Sequence, residues 1–160
     1  MGSPLRQLDQ VAALLRRETT LSLATTGADG EASVAPLFYI ADEDLSLCWL
    51  SAESSRHSLN LARSPQAAAT VYRSALNWKE ICGVQMRGSA AIVTEPELRT
   101  RLIEAYCERF RLGRILRLAV RRSALYAFRP EFFRYIDNAR GFGYKFVLTR
   151  QPDGWSLQRN

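Results

Sequence analysis

Between Leu21 and Thr149 the apolar residues come in short runs broken by glycine, proline or acidic residues, and this punctuation most restricts what the chain can fold into. Leu21 and Leu23 alternate with Ser22 and Ala24 until Gly27 and Gly30 intervene, and a second run occupies Ala32 to Ile40. A period of two closed by turn residues marks half-buried strands, so this pair predicts a hairpin. Pro36 has no N–H to give a ladder, which places the second strand at an edge or a bulge. The acidic turn Asp42, Glu43, Asp44 leads to a third strand, Leu45 to Ser51. Ser46 interrupts its apolar stretch, and nothing in the chain approaches the ~20 apolar residues that span a bilayer.

Further strands follow at Ala67 to Tyr72, at Ile81 to Val93 with Gly88 as a bulge or close-approach point, and at Ala124 to Phe128. A last pair, Phe132 to Asp137 and Tyr144 to Thr149, flanks the turn-like Asn138 to Gly143. Helical spacing appears in three places. Ser3 and Pro4 precede Leu5, Leu8, Val11 and Leu15; serines open Ser54 to Ala62 before Pro65; and Thr94 with Glu97 forms a capping box ahead of Leu98, Leu102, Tyr106 and Phe110. The basic segment Arg114 to Arg122, beyond Gly113, adds another turn or two. The predicted fold is mainly β: a single antiparallel barrel, closed or split, flanked by helices over residues 1–150, with 151–160 as a tail of little pattern.

With 160 residues the chain suits one domain, and 47% hydrophobic against 24% charged residues is a globular mixture. The first residues lack the basic start and apolar stretch of a secretory signal, so a cytoplasmic location is expected. Cys48, Cys82 and Cys107 are too few and scattered for a disulfide framework or a zinc site and read as buried thiols. A net charge of +6 would suit nucleic acid, a membrane surface or a phosphorylated small molecule, and does not choose among them.

Ser51 to Arg56 follows a strand and opens a helix, so free backbone N–H groups, serine hydroxyls and Arg56 could converge on a phosphate; an ordinary serine cap beside solvated Arg56 and His57 explains the same residues. His57 is the sole histidine, which excludes a multi-histidine metal site, and no G-x-S-x-G elbow marks a serine nucleophile. The arginines from Arg109 to Arg122 are interleaved with Phe110, Leu112, Ile115, Leu116 and Leu118. The expected arrangement packs the apolar residues and leaves the arginines in solvent, which disfavours nucleic-acid binding and leaves an acidic partner protein as an alternative use. Trp49, Trp78, Trp155, Tyr39 and Tyr72 could stack on a planar cofactor or serve the core.

Taken in order, SAESSRHSLNLARSP at 51–65, ICGVQMRGSA at 81–90 and YIDNARGFGYKF at 135–146 resemble the pyridoxamine 5'-phosphate oxidase-like FMN-binding split barrels. The Arg56-His57 pair, GVQ-x-x-G at 83–88 and DN-x-x-GFG at 137–143 are most similar to the bacterial YhbP-like branch. The resemblance implies a homodimer of six-stranded split barrels with two FMN sites built from both chains. By position, the backbone of Ala35, Pro36 and Leu37 would border the isoalloxazine. Leu50 and Ser51 would lie near the ribityl phosphate, with Ser55, Arg56 and His57 at the phosphate, and Gln85, or Gly83 two residues earlier on the same face, would approach the ring. A flavin-dependent oxidoreductase is implied, with NAD(P)H as a candidate donor; a flavin- or haem-binding module without turnover is the alternative. Ala35 and Ile40 stand where the oxidases of this family carry basic residues, and His57 where lysine is common. FMN is therefore expected to be weakly held or lost on purification, and, because the arginine and histidine motif near the end of the true oxidases is absent, pyridoxamine 5'-phosphate is not the expected substrate.

Overall fold

The computed structural model describes residues 4–158, so the expected Ser3 cap lies outside the described residues. Helix α1, Pro4–Arg17, leads into the hairpin β1, Thr20–Thr26, and β2, Ala32–Phe38. Its turn closes through Gly27 N–H to the Glu31 carbonyl at 2.8 Å, and Gly30 takes a φ of 82° that a side chain would strain. Next come β3, Ile40–Ala41, β4, Leu47–Ser51, helix α2, Arg56–Arg63, β5, Gln66–Tyr72, and β6, Cys82–Ile92. Helices α3, Pro96–Arg109, and α4, Arg114–Arg121, precede β7, Ala124–Asp137, β8, Lys145–Gln151, and β9, Gly154–Gln158.

The strands form one antiparallel sheet of nine, not six, in the order β2-β1-β5-β6-β7-β4-β3, with β8 and β9 branching from β7. The curled sheet and its flanking helices make a mainly β split barrel. Pro36 does sit on an edge strand, β2. The two strands expected on either side of Pro130 are one 14-residue strand. Along one flank β7 pairs with β6 throughout; along the other it pairs with β4 over Ala124 to Phe128 and with β8 over Phe132 to Ile136. The exchange of partners falls at Pro130, which lacks a donor, opposite the register shift between Arg87 and Gly88. A Cβ on Gly88 would come within 2.0 Å of the Arg129 carbonyl oxygen, so only glycine permits this approach.

Tyr39, Trp49, Phe128, Phe133, Leu21 and Leu23 fill the barrel, and Val11, Leu14 and Leu15 of α1 close over them. The Tyr39 hydroxyl donates to the Leu15 carbonyl at 2.7 Å, which satisfies a polar group that burial would otherwise penalise. A second core of Cys48, Val93, Leu102, Ile103, Cys107 and Leu125 lies under α3. That helix is capped by Glu95, whose carboxylate accepts from Glu97 N–H and Leu98 N–H, rather than by the expected Thr94 and Glu97 box. Residues beyond Arg150 are not a patternless tail: β9 pairs with β8, and Trp155 and Leu157 pack against the barrel core.

Helix α4 departs from the expected distribution in three apolar residues, while Leu112 ahead of it packs on the core under α3 as expected. Ile115, Leu116 and Leu118 face outward, Ile115 being 90% exposed, while Arg117 donates to the Leu112 carbonyl and Arg121 reaches Glu104 at 2.6 Å. Arg117 turns toward α3 because the Leu112 carbonyl and Glu104 lie on that side, while Arg114 and Arg121 stay exposed and Val120 packs on the core under α3. No described helix is long and apolar enough to cross a membrane.

Candidate functional site

Ser51 ends β4, and Ser55 caps α2, its hydroxyl accepting from Ser58 N–H at 3.4 Å. The turn between them folds His57 back, so that Nε2 lies 2.8 Å from Ser51 Oγ and 3.1 Å from Ser55 Oγ. Ser55 Oγ also contacts Ser51 Oγ at 3.2 Å and donates to Ser58 Oγ at 2.8 Å. His57 is only 9% exposed, and burial pushes its pKa below the usual histidine value because the charged ring would lose water. Arg56 is exposed and has no ion-pair partner among the described residues. Asn60, buried, donates through Nδ2 to Thr25 Oγ1 at 3.0 Å and fastens α2 across the end of β1. The result is two half-buried serine hydroxyls, a helix N-terminus and one exposed guanidinium beside the imidazole, with Ser58 buried beneath them, a group suited to an anion.

The outer face of the sheet carries the second element. The register sets Pro36, Ser22, Thr70, Gln85 and Arg134 in one row across β2, β1, β5, β6 and β7. The neighbouring row is Val34, Ala24, Ala68, Arg87 and Phe132. All of these but Pro36 line an open groove of about 560 Å³. Gly83 belongs to the same face as Gln85, two residues along. Ala35 and Leu37 pair with the buried Leu23 and Leu21, so their side chains face the barrel and only their backbone is available to the outer face. Leu50 packs with the core under α3. Ser51, Ser55 and His57 are therefore in direct contact, Pro36 and Gln85 share a row, and Asn60 through Thr25 joins the two regions beside Ala24.

Of the aromatic candidates, Trp49 and Tyr39 are fully buried and Trp155 lies 4.7 Å from Phe133, whereas Tyr72 and Trp78 are exposed. Arg87, Phe132 and Arg134 were not singled out from the sequence. Alternation along Ile81 to Val93 assigns Arg87 to the face of Gln85, but only the pairing of β6 with β7 reveals that Phe132 and Arg134 stand beside it.

Another cavity, about 280 Å³, opens between the sheet and α3 and includes Asp42, Asp44, Glu95 and Cys48. Its acids are already engaged: Arg101 holds Asp42 at 2.8 and 2.9 Å and lowers its pKa, Asp44 accepts from Ser46, and Glu95 caps α3. Burial pushes the Cys48 thiol up to about 12, so it is not a nucleophile at neutral pH. Among the described residues no group of three or more His, Cys, Asp or Glu could hold a metal ion.

The profile of the family described as Pyridoxamine 5'-phosphate oxidase matches residues 8–130. A UPF0306 protein of Cronobacter sakazakii is 31% identical over 145 residues, covering 89% of this chain and 95% of that protein. A UPF0306 protein of Klebsiella pneumoniae is 30% identical over 123 residues, 76% of this chain and 80% of its own length. Among solved structures, a pyridoxamine 5'-phosphate oxidase-related, FMN binding protein from Nostoc punctiforme superposes with a TM-score of 0.72 at 16% identity, covering 98% of this chain and 96% of that one. HutZ, a haem storage protein from Vibrio cholerae, gives 0.65 at 22% identity over 77% of this chain and 89% of its own. At these identities the structures share the fold.

Proposed function

Because this chain belongs to the pyridoxamine 5'-phosphate oxidase family and matches its UPF0306 members along most of their length, we propose that it binds FMN and serves in the cytoplasm as a flavin-dependent oxidoreductase on a small substrate. The observation that carries the reading is the cluster at the start of α2. The Ser51 hydroxyl and the helix N-terminus supply donors for a phosphate, Ser55, whose hydrogen goes to the buried Ser58, braces Ser51, and Arg56 supplies the permanent charge. His57, kept neutral by burial, would orient the two serines through Nε2. The backbone of Ala35, Pro36 and Leu37 and the side chain of Gln85 fit a flat ring against the outer face. Val34, Phe38 and Tyr72 leave that face apolar and exposed, which supports its burial against a second copy and a site completed by both chains.

When bound, FMN would supply the electron transfer, with NAD(P)H as the expected hydride donor; the protein's part is to hold the phosphate, align the ring and exclude water. Among the described residues the hydrogen bonds of Ser51 and Ser55 involve only His57, Ser58 and each other, so Arg56 is the permanent charge this reading relies on, which fits modest affinity. Titration of the purified protein with FMN, followed by flavin fluorescence, tests this. About one FMN per chain is expected, with affinity falling about tenfold or more in Arg56→Ala, the loss that removal of a charged hydrogen-bond partner brings. No binding at high micromolar FMN would defeat the proposal.

A haem-binding role is the second reading, favoured by the fold shared with HutZ. The sole histidine is an unsuitable axial ligand as it stands, since its Nε2 is directed at two hydroxyls. A Soret band that vanishes in His57→Ala would reverse this ranking.

A further inference from the structure

Three observations in the outer groove converge on a ligand that the α2 cluster does not explain. The Arg134 Nε–H is buried and has no hydrogen-bond partner, an uncommon state for a buried donor. In the neighbouring row Arg87 lies opposite Phe132, its guanidinium carbon 4.2 Å from the ring centroid, a cation–π contact that holds the group over the ring and leaves it without an ion pair among the described residues. The groove lining contains both arginines and no carboxylate, and it continues over the apolar Val34, Ala24 and Ala68. Cations concentrated without counter-charges, against an apolar floor, make a favourable place for an anion carrying a hydrophobic body.

We infer that Arg87 and Arg134 form an anion-recognition subsite for the substrate: a small organic phosphate or carboxylate whose apolar part rests on Val34, Ala24 and Ala68. The inference deepens the flavin reading by naming a substrate class, and rests on it only for the word substrate. Arg134 provides the unpartnered Nε–H, and Arg87, held over Phe132, provides a second cation. Gln85, beside Arg134 in the row, is the hydrogen-bonding side chain nearest in register.

The test titrates the full chain with phenyl phosphate and benzoate, with inorganic phosphate and benzyl alcohol as partial ligands. Arginine Nε–H resonances are followed by heteronuclear NMR and affinity by calorimetry, and melting curves confirm that each variant is folded. The Arg134 resonance, identified by its loss in Arg134→Gln, is expected to move on addition of phenyl phosphate or benzoate and to stay still with benzyl alcohol. The preferred anion of the two identifies phosphate or carboxylate as the headgroup. Affinity is expected to drop about tenfold in Arg134→Gln and in Arg87→Gln, as for any lost charge-assisted partner. Undiminished affinity in both groove variants, loss only in Arg56→Ala, or no binding of either anion at low millimolar concentration would each overturn the inference. FMN titrated in parallel separates this from the flavin proposal, because a protein that takes phenyl phosphate but no FMN keeps the subsite and loses the cofactor.

Discussion

Helices α2 and α4 are each eight residues long, and each has a basic residue in its last turn, yet they relate to the barrel in opposite ways. Helix α2 buries polar groups: His57, Ser58 and Asn60 all point inward with Leu61 and find hydroxyl partners there. Helix α4 has no buried residue: it displays Ile115 and Leu118 to solvent, rests Val120 on the core under α3, and reaches through Arg117 and the exposed Arg121 to the Leu112 carbonyl and Glu104. The contrast teaches that amphipathic pattern alone does not say which face goes in. What decides is whether the underlying surface offers apolar atoms or unpaired acceptors. Buried polar groups that are fully partnered fix one geometry, as a binding cluster needs; exposed apolar ones fix nothing in this chain.

The largest effect should separate the two helices outright. Leu61→Ala, beneath α2, is expected to cost about 3 kcal/mol by loss of burial and the cavity left behind, whereas Leu118→Ala on α4 should stay within about 0.5 kcal/mol. Urea denaturation of both variants checks this, and equal losses would mean that the exposed face of α4 is packed in solution. Ser55→Ala should follow at about 1 kcal/mol, the usual worth of a serine cap, and should weaken FMN binding at the same time.

The smallest effect is a slope with pH. A lowered folded-state pKa for His57 means that the unfolded chain takes up a proton first as acid is added. The contribution is present above the ordinary histidine range and is lost as pH falls through it toward the folded value. His57→Asn should flatten the stability curve in that window relative to the parent chain, and an unchanged curve would show that the imidazole is not kept neutral by folding.

Much of the scaffold could be read in advance because its signals are local. Leu21 and Leu23 against Ser22 and Ala24, the glycines of the first turn, Pro36 at an edge and Gly88 at a bulge each state a backbone requirement within a few residues. The α2 cap was legible in the same way, since Ser55 needs only the next turn to act. What escaped depends on partners distant in sequence. Pro130 looks like a strand break until β6 is known to run past it on the other side. The outer groove requires five strands in register before Ser22, Thr70, Gln85 and Arg134 become neighbours. The outward turn of Ile115 and Leu118 on α4 goes with the anchoring of Arg117 and Arg121 to Glu104, which no periodicity within 114–122 could announce. The short β9 was missed because two inward residues, Trp155 and Leu157, make too brief an alternation.

The change of partners at Pro130 also has a bearing on the order in which the molecule can assemble. Strand β4 has only the two-residue β3 beside it until β7 is available, and β7 is among the last strands to leave a ribosome. Until then Trp49 has neither the stacked Tyr126 nor the Phe128 row to cover it. The barrel therefore closes late, and formation of the β6–β7 pair is the step at which both half-sheets gain their common seam; sequence-distant closure of this kind is slow. A nascent chain halted before Ala124 should still be open to protease around Trp49, whereas one extended past Asp137 should resist.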